Sequence, residues 1–240
     1  MRLINNPKED VPEEFYIFVN TSNAQTKHNI EKTSCIVSAA FLQCIEDSDK
    51  EYASKYLKGI ISAFSPLGRH ESNFTEKYEN GNLEYLPFVV NRDCDVNFVS
   101  MFTNSVTNEY TIEYNCEVYR RYNLSTYPSR LSSCYAFADY ASCEIVSKKY
   151  GWNINTVRKF KLIPHKNNRV AKVNMEIISL QRYAERVASI DEENQVKIWA
   201  SYWNSFGEIE LELPTLNNGR QNFKSGILWE YLVEGILMLA

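Results

Sequence analysis

A chain of 240 residues with 44% hydrophobic and 23% charged residues is long enough to bury a core without covalent staples. Its net charge of −4 excludes a protein that coats duplex DNA, which needs a basic surface to displace counterions, though a local basic groove stays open. The N-terminus MRLINNPKED has no apolar signal core and no run of 18 apolar residues occurs, so a cytoplasmic protein with no membrane partner is expected.

The six cysteines (Cys35, Cys44, Cys94, Cys116, Cys134 and Cys143) form no CxxC, and the three histidines (His28, His70, His165) supply no zinc spacing. No metal is expected, and the thiols read as free and buried.

In chain order, Phe15 to Val19 (FYIFV) is a short apolar run after Pro12 and before Asn20-Thr21-Ser22-Asn23, a buried strand entering a loop. From Glu31 to Gly59 the apolar residues recur at helical spacing, with a break at Asp47-Ser48-Asp49, which predicts two helices. Ser65 to Leu86, with Pro66, Gly68 and Gly81, reads as a long loop; Leu86 to Val90 and Asp95 to Phe102 read as short structured segments. Glu109 to Tyr122 carries two apolar stripes, the mark of a helix buried on more than one side.

The stretch Tyr127 to Gly151 organises the middle of the chain. After a Tyr-Pro-Ser turn, Ser132 to Phe137 is apolar and aromatic, and a helix follows. Asp139 suits its N-cap, Cys143, Val146 and Tyr150 share one face, and Gly151 suits the left-handed residue that ends it.

Beyond it, Val157 to Ile163 and Ala171 to Asn174 read as strands. Ser189 to Glu192 has the form of a capping box before a helix bearing Trp199 and Trp203, expected to pack on the sheet. Glu208 to Leu213 alternates like a half-solvated strand, and Asn217-Asn218-Gly219 reads as a turn. Ile227 to Val233 and Ile236 to Leu239 read as strands parted by Glu234-Gly235, with a hairpin expected between them.

Glu230 stands inside the apolar run GILWEYLV, sharing a strand face with Leu228 and Leu232. A carboxylate there is costly unless it sits at a solvated edge, pairs with a cation, or faces a cleft. In a cleft it can orient a hydroxyl or stabilise developing positive charge.

Three segments together resemble the poly(ADP-ribose) polymerase and diphtheria-toxin-like type of the ADP-ribosyltransferase superfamily. Tyr135-Ala-Phe-Ala-Asp139 and its helix resemble the tyrosine segment that lines the nicotinamide pocket. Glu230-Tyr-Leu-Val is similar to the run carrying the family's catalytic glutamate. Phe15 to Asn23 resembles the first strand and loop, although Ile17 stands where the family places an NAD-holding histidine, as in mono-transferring or lapsed members. Leu228 stands where arginine-modifying toxins place Glu or Gln, so an arginine target is not supported.

The resemblance implies an α+β fold: a split antiparallel β-sheet around an NAD cleft, formed by a single domain over residues 1–240 with a helical insertion at 31–122. It implies NAD as cofactor and Glu230 and Tyr135 as catalytic residues. Tyr16 and Asn20 would lie on the NAD-binding first strand and loop, and Tyr140 beside the nicotinamide. Ser132 or Ser133 would hold a ribose hydroxyl, and Arg130 the pyrophosphate.

The implied activity is mono-ADP-ribosyl transfer to a protein or nucleic-acid acceptor, as in a toxin, a defence protein or a phage effector. The alternatives are a lapsed member acting as a binding module, or an unrelated α+β module. On those alternatives Arg130 forms a surface or structural ion pair and Tyr135 is core packing.

Overall fold

The computed structural model describes residues 1–60, 101–188, 190–215 and 219–240, with residues 43, 46, 47 and 101–108 described by their backbone alone. The expected loop at Ser65 to Leu86, the strand at Leu86 to Val90, the segment from Asp95 as far as Ser100, and Ser189, Asn217 and Asn218 lie outside the described residues. The fold is α+β with antiparallel sheets, and the chain divides into two compact units.

The first unit comprises residues 1–75, 127–172 and 229–240. Its described elements begin with β1 (Phe15–Phe18), α1 (Ala24–Thr33), β2 (Cys35–Val37), α2 (Ala39–Ser48) and α3 (Lys50–Tyr56). After the helix α4 (Met101–Asn123), which belongs to the second unit, the first unit resumes with β3 (Cys134–Ala136), α5 (Tyr140–Tyr150) and β4 (Val157–Leu162).

Strand β5 (Arg169–Asn174) runs across the unit boundary. The second unit then adds α6 (Met175–Val187), α7 (Glu192–Trp203), β6 (Glu210–Pro214) and β7 (Arg220–Lys224). The chain closes in the first unit with β8 (Trp229–Glu234) and β9 (Ile236–Leu239).

A four-stranded sheet has the order β1-β4-β9-β2 and a three-stranded sheet the order β3-β8-β5. The expected hairpin between the last two strands does not form. β8 pairs with β3, and β9 pairs with β4 and β2, so the chain leaves one sheet and enters the other at Gly235. Gly235 is fixed there by Ser38, whose Oγ accepts from its amide at 3.0 Å. A Cβ on Gly235 would lie 2.6 Å from Leu162 and 2.9 Å from Asn168, so the crossing leaves no room for a side chain.

The core of this unit collects Phe15, Ile17 and Val19 with Phe160, Val170, Tyr231, Val233 and Leu237. Phe15 and Phe160 are wholly buried register partners, each burial stabilising by roughly 1.5–3 kcal/mol. Ile17, where the resembled family has histidine, is part of this core.

Local signals hold well in α5. Asp139 accepts from the Ser142 amide at 2.6 Å, and Gly151 ends the helix at φ 72°. The expected break near Asp49 is real, since Asp49 ends α2 and caps α3. β2 and α1 occupy what reads in the sequence as helix and loop.

In the second unit α4, α6 and α7 pack on one another, and β6 and β7 form a hairpin against α6. Trp199, Tyr202 and Trp203 are fully buried. Trp203 donates from Nε1 to the Cys116 carbonyl of α4 at 3.2 Å. The tryptophan helix therefore rests on helices rather than on a sheet, and its cap is Asp191, which accepts from Asn194 at 2.8 Å.

Candidate functional site

Strand β8 carries two buried carboxylates on one face, Glu230 at 4% exposure and Glu234 at 2%. Each meets a different cation within the first unit, and the loop leading into β3 connects them.

That loop, Tyr127 to Ser133, is a compact turn. The Ser129 carbonyl accepts from the amides of Ser132 and Ser133, and the Ser129 hydroxyl accepts from Leu131. Glu234 clasps it from below, accepting from the Ser129 amide at 2.9 Å and from the Ser132 hydroxyl at 3.4 Å. Arg169 completes the clasp, donating from Nε to Glu234 Oε2 at 2.6 Å. The sequence alone marked Glu234 only as a turn residue. Its separation of four from Glu230, which places both on one strand face, was the available signal.

The clasped loop aims Arg130 inward. Its guanidinium lies 3.7 Å from Glu230 Oε2, with both side chains about 5% exposed, and 5.1 Å above the ring centroid of Tyr135. Tyr135 stands on β3 opposite Leu232 of β8, and its hydroxyl donates to the Arg130 carbonyl at 2.6 Å. Arg130 on the loop and Tyr135 and Glu230 on the adjacent strands β3 and β8 thus form one cluster. Ser132 and Ser133 lie at its loop end: Ser132 is bonded to Glu234, whereas Ser133 Oγ is buried with no hydrogen-bond partner.

Tyr16 and Tyr140 meet each other edge to face with centroids 6.1 Å apart, and the Tyr16 backbone bridges to Phe137 just past β3. Phe18 extends this aromatic surface through Phe137 and the partly exposed Trp152. Asn20 is exposed and turns back on its own loop, accepting from the Ser22 amide at 3.1 Å.

Thiol chemistry is unfavourable around the cluster. Burial, assisted by the Glu234 charge, pushes the Cys134 thiol up to about 12, and burial pushes Cys143 to about 12. Among the described residues no group of three or more His, Cys, Asp or Glu side chains is placed to hold a metal ion. No described helix is long and apolar enough to cross a membrane. Compared with protein-family models and with curated proteins, the sequence matches none.

Proposed function

We propose that the first unit binds NAD and transfers its ADP-ribosyl group to a macromolecular acceptor, with Glu230 as the catalytic carboxylate. The observation that carries this reading is the cluster itself. A buried glutamate on β8 and a tyrosine on the neighbouring β3 are held together by one arginine, in the chain order of the resembled family.

NAD supplies a glycosidic bond whose breaking leaves positive charge on the ribose as the electron pair departs with nicotinamide. Glu230 stabilises that charge and orients a ribose hydroxyl. The unpartnered Ser133 Oγ suits a second ribose hydroxyl. Arg130, whose guanidinium faces Glu230, suits the task of aligning that carboxylate better than that of gripping a pyrophosphate. Tyr135 and Tyr140 offer the rings for nicotinamide.

A lapsed, ligand-binding relative is the second reading, favoured by the burial of the Arg130–Glu230 pair and by Ile17 in the core. Nicotinamide release from NAD by the purified chain tests the choice. Release by the wild type that falls about 10²–10³-fold in Glu230→Gln supports transfer. Equal release by both proteins refutes the role of Glu230, and NAD binding without release assigns the second reading.

A further inference from the structure

The loop that carries Arg130 is itself buried: Ser129, Arg130, Leu131 and Ser132 are each 5% exposed or less. A buried stretch outside helices and strands has to find backbone partners by other means. Besides its own turn bonds, it is tied to three elements. The Tyr135 hydroxyl of β3 donates to the Arg130 carbonyl at 2.6 Å, and the Ala39 amide that starts α2 donates to the Ser132 carbonyl at 3.1 Å. Glu234 of β8 accepts from Ser129 and Ser132.

The Glu234 tie depends on a third residue. A carboxylate that is 2% exposed is costly unless a cation accompanies it. Arg169, which begins β5, meets its Oε2 through Nη2 and through Nε at 2.6 Å. Oε1 faces the loop instead, taking the Ser129 amide at 2.9 Å and the Ser132 hydroxyl at 3.4 Å. Charge-assisted bonds of this kind are roughly twice as strong as neutral ones. Arg169 therefore fixes the carboxylate from one side while the carboxylate fixes the loop from the other.

The route runs on to the cluster. Glu234 lies four residues along β8 from Glu230, roughly 13 Å at the rise of a strand. Ser129 immediately precedes Arg130, whose guanidinium stands 3.7 Å from Glu230 Oε2. A displaced Ser129 amide shifts the backbone of Arg130 and its guanidinium with it. Misplacement by about 1 Å, from a change remote from the chemistry, can cost up to about 10²-fold in rate. The Arg169 side chain is 37% exposed and lines an open cavity beside Ala40, Phe41 and Cys44, so replacing it disturbs no packed core.

We propose that Arg169 is a positioning residue for the transfer, acting through Glu234 and the Tyr127–Ser133 loop to hold Arg130 against Glu230. The proposal rests on the transfer reading of the cluster.

Nicotinamide release by the full chain is measured across NAD concentrations for the wild type, Arg169→Met, Arg169→Lys, Arg130→Gln and Arg169→Met/Arg130→Gln. Arg169→Met is expected to lower kcat about tenfold with KM changed less than about twofold, the pattern of an interaction used in the transition state. Arg169→Lys keeps the charge and is expected to recover most of that loss. Because the effect passes through Arg130, Arg169→Met is expected to cost less than about twofold beside Arg130→Gln. An unchanged kcat in Arg169→Met, or additive losses in the double variant, overturns the proposal.

Hydrogen exchange is followed on the same proteins. Arg169→Met is expected to speed exchange at Ser129 and Ser132 and to leave Phe160 of β4 unchanged. An equal rise at Phe160 marks loosening of the whole unit and overturns the proposal. Absence of release by the wild type refutes the transfer reading, and the coupling is then read from exchange alone. There Arg169→Met is expected to raise the β3 and β8 rates about tenfold by itself and less than about twofold beside Arg130→Gln, and additivity overturns it.

Discussion

The Arg130–Glu230 pair permits a quantitative test of how the cluster is held. With Nη1 and Oε2 3.7 Å apart, Coulomb's law at an effective dielectric of ~20 gives about 4.5 kcal/mol. The charge centroids are farther apart than the nearest atoms, so about 3–4 kcal/mol is the better expectation. Arg130→Met removes this positive charge from beside a buried carboxylate, and Glu230→Leu removes this negative charge from beside the buried guanidinium. Each single change is expected to destabilise the first unit by about 3–5 kcal/mol.

The double variant removes both charges and is expected to cost no more than either single, giving a coupling of about 3 kcal/mol. Hydrogen exchange of the β3 and β8 amides reads the effect where it occurs, without requiring the two units to unfold together. A coupling below about 1 kcal/mol would refute the pair as the device that holds Glu230. It would also return Glu230→Gln to the status of a silent isosteric probe. As matters stand that variant also strips Arg130 of its counter-charge, so Arg130→Gln/Glu230→Gln belongs beside it in the nicotinamide assay.

Two further outcomes are expected. Gly235→Ala forces a methyl against Leu162 and Asn168 at 2.6 and 2.9 Å and should destabilise the first unit by about 1–3 kcal/mol, read as a lower urea midpoint at unchanged slope; a neutral result would show that the sheet crossing has slack. Burial pushes the Glu185 carboxyl up to about 8, above its unfolded value. Its contribution is thus complete at acid pH and is lost as pH rises through the folded value, at about 1.4 kcal/mol per pH unit between about pH 5 and pH 8. Trp199 and Trp203 fluorescence in a Trp152→Phe/Trp229→Phe background should show the second unit weakening over that range, and Glu185→Gln should flatten the slope; an unchanged slope would place the ionisation elsewhere.

What was legible in the sequence was what is encoded locally. Asp139 and Gly151 delimit α5 because a cap and a left-handed stop act within one turn. The strands β1, β4 and β6 were legible because apolar runs or alternation need no partner to be seen. α6 was not, since its buried face includes Gln181 and Glu185, which interrupt the apolar period that marks a helix. β2 is three residues long and exists through its pairing with β9. The false hairpin has the same origin: Glu234-Gly235 has turn composition, but the partners of β8 and β9 lie far upstream and belong to different sheets.

The candidate site divides along the same line. Glu230 was visible as a charge out of place, whereas its partner was not, because nothing local ties Arg130 to it. The structure now separates two carboxylates that the sequence treated unequally for the wrong reason. Glu234 accepts from a backbone amide, a hydroxyl and an arginine at once, so turning it toward a substrate would undo the loop that presents Arg130. Glu230 meets Arg130 at 3.7 Å, an ion-pair rather than a hydrogen-bond distance, and beside it stands the tyrosine of the neighbouring strand. The proposed transfer therefore assigns its carboxylate role to Glu230, and Glu234 holds the loop that presents Arg130.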